Sequence, residues 1–242
     1  MDRIIGLHAV EAALGAGRPI DRVVITRGAA NPRLQAIIDQ CRESRIPVRF
    51  EARQQLDRLS NRGVHQGVIA YAAGKRYAEL DEVLADAPDD AIVVICDGVE
   101  DPHNLGAILR SAEAAGATAV IVPRRRSAPL SDVAAKASAG AMERLPVARV
   151  TNINRALDDL KKAGFWTYGL DERGDKTIWD VKLKGKVVLV MGAEGEGLHR
   201  LTAERCDELL GIPMQGGAAS LNVSVAAGVV LFEAVRQRRK SR

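Results

Sequence analysis

The 242-residue sequence predicts an α/β protein in two units, the second built on a mostly parallel sheet. Three observations carry that expectation. Helical and strand patterns alternate along nearly the whole chain. Hydrophobic residues make up 47% of it but aromatics only 3%, so Val, Ala, Leu and Ile must fill the core. The stretches "AIVVICD" (91–97) and "KVVLVM" (186–191) are unbroken apolar runs, as expected of inner strands covered on both faces.

The elements follow in order. Residues 8–14 suit a short helix stopped by Gly15 and Gly17, and 20–26 a strand. Residues 33–44 suit a helix, 47–51 a strand, 52–59 a helix and 67–72 a strand, giving a first unit over 1–72. The polar stretch 73–90, with Gly74 and Pro88, predicts a linker holding a short helix near 79–85. The second unit, 91–242, opens on the strand 91–97. Helices are then expected at 104–115, 131–139, 153–163 and 222–237, and strands at 118–122, 145–150, 165–170, 186–191 and 207–213.

Composition excludes several function classes. Cys41, Cys96 and Cys206 are odd in number and far apart, which gives neither a disulfide framework nor a zinc spacing. His8, His65, His103 and His199 have no metal-ligand spacing, so no metal is expected. No run approaches the roughly 20 apolar residues of a membrane span, and the N-terminus lacks a signal-peptide core. A cytoplasmic protein is expected, with no membrane partner. The net charge of +4 points weakly to an anionic partner. Basic clusters at Arg124, Arg125 and Arg126, and at Arg236, Arg238, Arg239, Lys240 and Arg242, read equally as contacts for such a partner and as solvated surface.

Three stretches carry chemistry. In "DPHNLGAILRSAEAAGA" (101–117), Asn104 stands where a helix N-cap is expected, and Leu105, Ile108, Leu109 and Ala112 form a buried face. Arg110 lies about 9 Å farther along the axis. Long side chains lean toward the helix N-terminus, so its guanidinium is expected near Asn104. Taken alone, these two residues read equally as a cap and a surface arginine.

In "VMGAEGEGLH" (190–199), the order is Gly-x-x-Gly-x-Gly, not the dinucleotide order. Glu194 and Glu196 would repel a phosphate. They suit a neutral or cationic ligand, such as an adenosyl group bearing a sulfonium. A tight turn with exposed glutamates is the plain alternative.

In "IPMQGGAASLNVSVAAGVVLFEA" (212–234), Val223, Ala226, Ala227, Val230, Leu231 and Ala234 trace a helical stripe. The other side is nearly as apolar until Glu233, so a buried helix is expected. Ser220 and Asn222 at its start either cap it or face a ligand. Ser220 lacks the context of a hydrolase nucleophile.

Together and in this order, the three stretches resemble the motifs of the SpoU family of RNA ribose 2′-O-methyltransferases. The first unit, with "GLHAVEAAL" and "VHQGVIA", is similar to the L30e-like substrate-binding domain of the 23S rRNA guanosine methyltransferases in that family. The resemblance covers nearly the whole chain. It implies a SPOUT catalytic domain with a C-terminal trefoil knot, working as a homodimer on 23S rRNA. S-adenosylmethionine would lie in the knotted loops, against Gly192, Ala193, Glu194, Gly195, Gly197, Ile212, Met214, Ser220 and Leu221. Asn104, Arg110, Glu194, Ser220 and Asn222 match the catalytic set. The implied reaction transfers methyl to the ribose 2′-oxygen of a guanosine in the peptidyl-transferase region.

The family assigns its arginine the role of base. A guanidinium keeps its proton, so Arg110 is better suited to binding phosphate and stabilising a developing alkoxide. Arg-rich stretches at 22–33, 42–62 and 124–126 are candidate RNA contacts. Three alternatives stay open: a transfer RNA substrate, a non-catalytic RNA-binding protein of the same fold, and a nucleotide-dependent oxidoreductase.

Overall fold

The computed structural model describes residues 2–28, 31–61, 63–85 and 87–239. Arg62, Lys240 and Arg242, counted above among basic residues, lie outside the described residues.

The first part of the chain runs β1 (Asp2–Ile5), α1 (Leu7–Gly15), β2 (Ile20–Thr26), α2 (Pro32–Glu43), β3 (Val48–Glu51), α3 (Arg53–Leu59) and β4 (Val68–Ala72). Its strands form a sheet in the order β1-β4-β2-β3. β4 is antiparallel to both β1 and β2, and β2 is parallel to β3. Ile4, Val10, Val23, Ile25, Ile37 and Val68 lie in its core. Asn31 caps α2 by accepting from Arg33 N, with Pro32 in the first turn. The sequence did not predict β1. "DRII" is too short to show a period, and it becomes a strand by pairing Asp2 with Ala72 through Ile5 with Ile69.

Residues 73–85 pack on the second sheet, and the short helix expected near 79–85 is present. Ala78 bridges Ala148 and donates its N–H to Val147 O at 2.8 Å. The Tyr77 ring lies under the Arg149 guanidinium, 4.2 Å from it. Helix α4 (Leu80–Ala85) buries Val83.

The rest runs β5 (Ile92–Cys96), α5 (Pro102–Ala114), β6 (Ala119–Pro123), α6 (Asp132–Ala137), α7 (Ala141–Arg144), β7 (Val147–Val150) and α8 (Ile153–Lys162). It continues with β8 (Trp166–Leu170), β9 (Lys176–Thr177), β10 (Val187–Met191), α9 (Arg200–Arg205), β11 (Glu208–Gly211) and α10 (Val223–Arg239). The strand order is β7-β6-β5-β10-β8-β11-β9, and every pairing is parallel. Alternate residues of β5 enter two cores on opposite faces. Ile92, Val94 and Cys96 pack with α5 and α10, whereas Val93 and Ile95 pack with α8. That period of two on a sheet covered from both sides explains the unbroken apolar run.

Three expectations need correction. The helix expected over 131–139 ends at Ala137 as α6, and a further, unexpected helix, α7, follows it at Ala141–Arg144. Gly140, at φ +89°, lies between them, and a Cβ there would sit 2.8 Å from Ala12 Cβ and 3.0 Å from His8 O of α1. A side chain at 140 would hold the two helices apart. Helix α10 is not buried on all sides, since Val225 and Phe232 are half exposed. Glu233, expected to open its polar side, is buried and takes two hydrogen bonds from Arg236. The short α9 and β9 carried no readable period.

Where the two sheets meet, the Arg18 guanidinium is the centre. It donates to Glu143 Oε1 at 2.6 Å, Asp2 Oδ2 at 2.8 Å and Ala73 O at 2.7 Å. Lys75 Nζ stands 3.8 Å from Glu143 Oε2. Arg18 and Glu143 are both nearly enclosed, so each charge needs the other.

Candidate functional site

β5 continues to β6 and β7 on one side, while β10 lies on the other, so the strand order reverses between β5 and β10. Ligands of open parallel sheets bind in the crevice at such a reversal, beyond the carboxyl ends of the strands. Beside that reversal, on the far side of β10 from β5, the ends of β8, β10 and β11, with the segment before α10, enclose a cavity of about 300 Å³. Leu170, Met191, Leu210, Ile212, Leu221 and Val223 give it apolar walls.

The loop after β10 forms one side. Ala193 N donates to Gly197 O and Gly197 N to Ala193 O, both at 2.9 Å, so the loop closes on itself. A Cβ on Gly192 would lie 2.2 Å from Gly197 C, which only glycine avoids. Gly195 and Gly197 sit at φ +81° and +69°, where glycine is at ease.

The closed loop aims Glu194 at two asparagines. Asn104 Nδ2 donates to Glu194 Oε2 at 3.0 Å. Asn222 Nδ2 donates to Glu194 Oε1 at 3.3 Å and to Asn104 Oδ1 at 3.0 Å. The partners are 90 and 118 residues apart from Asn104 along the chain. Asn222 Oδ1 accepts from Ser224 N at 2.9 Å, so Asn222 both caps α10 and joins the triangle.

Asn104 is not the N-cap of α5. Asp101 is, accepting from His103 N at 2.9 Å with Pro102 in the first turn. The helix therefore starts earlier than expected, and the buried Asn104 amide is free to serve Glu194.

All nine cofactor positions named above line the cavity: Gly192, Ala193, Glu194, Gly195, Gly197, Ile212, Met214, Ser220 and Leu221. Arg110 does not. It is exposed on α5 and has no hydrogen bond or ion pair among the described residues. Six helical residues turn the side chain about 120° away from Asn104, more than its lean recovers.

Sequence reasoning missed Asp171 and Arg173. They follow β8 in the same cavity wall, and their only signal was a polar run after a strand. Arg173 Nε donates to Asp171 Oδ1 at 2.7 Å and Nη2 to Oδ2 at 2.6 Å. That guanidinium holds the Asp171 carboxyl below the usual carboxylate range. Burial pushes the Cys96 and Cys206 thiols up to about 12, which leaves them without thiolate character. Among the described residues no group of three or more His, Cys, Asp or Glu is placed to hold a metal ion, and no helix is long and apolar enough to cross a membrane.

Comparison with known proteins places this geometry. Residues 91–232 match the SpoU rRNA Methylase family, and residues 3–78 match the family described as RNA 2′-O ribose methyltransferase substrate binding. The chain is 49% identical, over 97% of its length and 96% of the other's, to the 23S rRNA (guanosine-2′-O-)-methyltransferase RlmB of Xanthomonas campestris. It is 47% identical to the RlmB of Escherichia coli, over 98% of its own length and 99% of the other's. Among solved structures, the SpoU methyltransferase AviRb of Streptomyces viridochromogenes, in complex with the cofactor AdoMet, superposes with a TM-score of 0.85 at 27% identity. That match covers 99% of this chain and 91% of the other.

Proposed function

The chain belongs to the SpoU rRNA Methylase family, and from that premise we propose that it methylates the ribose 2′-oxygen of a guanosine in 23S rRNA, using S-adenosylmethionine. The observation that carries this is the Asn104–Glu194–Asn222 triangle at the rim of the aliphatic cavity. The cofactor fits what is there. Its adenosyl group needs apolar walls and bare backbone, which Ile212, Leu221 and the closed glycine loop offer. Its sulfonium is favoured by nearby negative charge, which Glu194 supplies, while Arg173 in the same wall is neutralised by Asp171. Gly192, Ala193, Glu194, Gly195, Gly197, Ile212, Met214, Ser220 and Leu221 hold it. When bound, it supplies an electrophilic methyl group.

Asn104, Glu194, Ser220 and Asn222 orient the acceptor ribose, and holding the 2′-oxygen in line supplies much of the acceleration. Arg110 binds phosphate and stabilises the developing alkoxide. Because it does not reach the cavity of its own chain, a second copy delivers it. Its exposed guanidinium and the exposed Val225 and Phe232 of the neighbouring α10 support a homodimer. Residues 1–72 are the L30e-like unit that grips RNA, 73–90 the connection and 91–242 the SPOUT domain, with its C-terminus in a trefoil knot. The knot is supported by the return of α10 across the excursion before β10, where Gln237 and Arg238 bond Val181 and Leu183. The enzyme works in the cytoplasm, without a metal.

The test is transfer of labelled methyl from S-adenosylmethionine to protein-free 23S rRNA and to bulk tRNA, with the site mapped by resistance to alkaline cleavage. One protected guanosine in 23S rRNA is expected. Labelling of tRNA alone moves the substrate, and no transfer to either RNA leaves a binding protein.

A further inference from the structure

On the far side of Glu194 a second cavity opens, of about 450 Å³. It shares Ala193, Glu194 and Glu196 with the first cavity, and Asn104 faces it. Its outer wall is Gly98, Arg126 and His199. The same three residues also line a third cavity of about 440 Å³, whose lining adds Arg125 and Arg200. The two spaces therefore meet at Arg126 and His199, one acidic toward the triangle and one basic beyond it.

That wall is built rather than incidental. Asp97 is buried, and its Oδ2 takes the His199 backbone N–H at 3.1 Å while its Oδ1 lies 2.9 Å from the ring Nδ1. Nδ1 is the nitrogen that donates to Asp97 in that arrangement, and Nε2 faces outward. Arg126 Nη1 reaches Nε2 at 3.4 Å. A guanidinium has five N–H donors, so four remain. Arg126 itself stands at φ +54°, a conformation that strains an ordinary residue. Its loop is pinned on both sides, by Ser127 Oγ donating to Pro123 O at 2.6 Å and Ala128 N donating to Val99 O at 2.9 Å. Buried Asp97 thus orients His199, and His199 orients Arg126, with no partner among the described residues for the remaining donors.

We propose that the second and third cavities together form the acceptor-nucleotide site, with Arg126 clamping the phosphodiester that flanks the target ribose. The proposal rests on the methyl-transfer reading above. Charge sets the direction: an anionic phosphate is repelled by Glu194 and Glu196 and drawn to Arg125, Arg126 and Arg200. The uncharged ribose then lies on the side of Asn104 and Glu194, next to the donor cavity. A bidentate arginine contact fixes orientation as well as affinity, which a reaction at one of several hydroxyls needs. His199 is a positioning residue here.

The experiment uses the full chain and protein-free 23S rRNA. Affinity is measured across a salt series, KM for RNA from methyl transfer, and cofactor affinity by calorimetry. Arg126→Gln is expected to raise KM for RNA about tenfold, and to lower the salt slope of binding by about one, as loss of one phosphate contact does. Cofactor affinity stays at the parent value. Arg125→Gln, at an exposed residue of the same cavity, lowers the slope in the same direction. His199→Asn raises KM by about threefold with the slope retained, because the charge is still present but less well aimed. An Arg126→Gln protein with the parent's slope and KM overturns the clamp and leaves the methyl-transfer reading standing. Loss of cofactor affinity in Arg126→Gln also overturns it, since the wall would then be only structural. A parent chain that transfers no methyl to any RNA overturns both.

Discussion

The two sheets of this protein handle the same kind of residues in opposite ways. In the four-stranded sheet, strands run both ways, so their ends and loops are scattered over both edges. Away from the junction, several of its charged residues pair locally: Arg22 with Asp21, Arg33 with Glu11, His65 with Asp57. In the seven-stranded sheet every strand runs the same way, so the ends of β5, β8, β10 and β11 collect at one edge. Polar residues from distant stretches of sequence converge there on one carboxylate. A parallel sheet concentrates chemistry because its topology gathers loops, and the first sheet is left to present surface.

This contrast can be broken at several points. The largest effect is expected from Arg110→Ala, at a residue with no hydrogen bond or ion pair to the described residues of its own chain. Methyl transfer should fall on the order of a thousandfold while calorimetry finds cofactor affinity unchanged. Normal turnover would remove the arginine from the mechanism. Next is the junction of the sheets. Arg18→Ala leaves the enclosed Glu143 with only the distant Lys75. Chemical denaturation should show a loss of about 3 kcal/mol. An unchanged midpoint would mean that the junction contributes no stability.

A smaller effect sharpens the account of the loop. In Gly192→Ala the new methyl meets Gly197, and the closed turn must open. Cofactor affinity should drop on the order of a hundredfold with far-UV circular dichroism unaltered, as misplacement of a site by about 1 Å does. Wild-type affinity would detach the glycine loop from the cofactor. The smallest and most specific effect is electrostatic. Glu194→Gln keeps the shape and removes the charge. Affinity for the cationic S-adenosylmethionine should fall about tenfold, or about 1.4 kcal/mol, more than affinity for the neutral S-adenosylhomocysteine. Equal losses for both ligands would refute a charge-based role for that carboxylate.

Much of the fold is legible from the sequence where a period is long enough to detect. The strand at 20–26 and the helix near 153–163 are found close to their predicted bounds, as β2 and α8. β1 escaped because two apolar residues make no pattern, and α7 escaped because its four residues show no period and the Gly140 before it answers a contact with Ala12 far away in sequence. The site divides in the same way. Gly192, Glu194 and Asn222 stand in recognisable motifs. Asp171 and Arg173 stand in none, and only the pairing of β8 with β10 and β11 brings them to the cavity.

By itself the sequence determined the alternation of helix and strand, the aliphatic core and the presence of a glycine turn carrying carboxylates. Those properties depend on local geometry and on the 3.6- and 2-residue periods of side chains. Tertiary structure alone decided that Asn104 serves Glu194 instead of capping its helix, that Arg110 faces away from its own cavity, and that His199 and Arg126 share a wall. Each of these is a meeting of segments remote along the chain. Only the order and direction of the strands that carry them sets it.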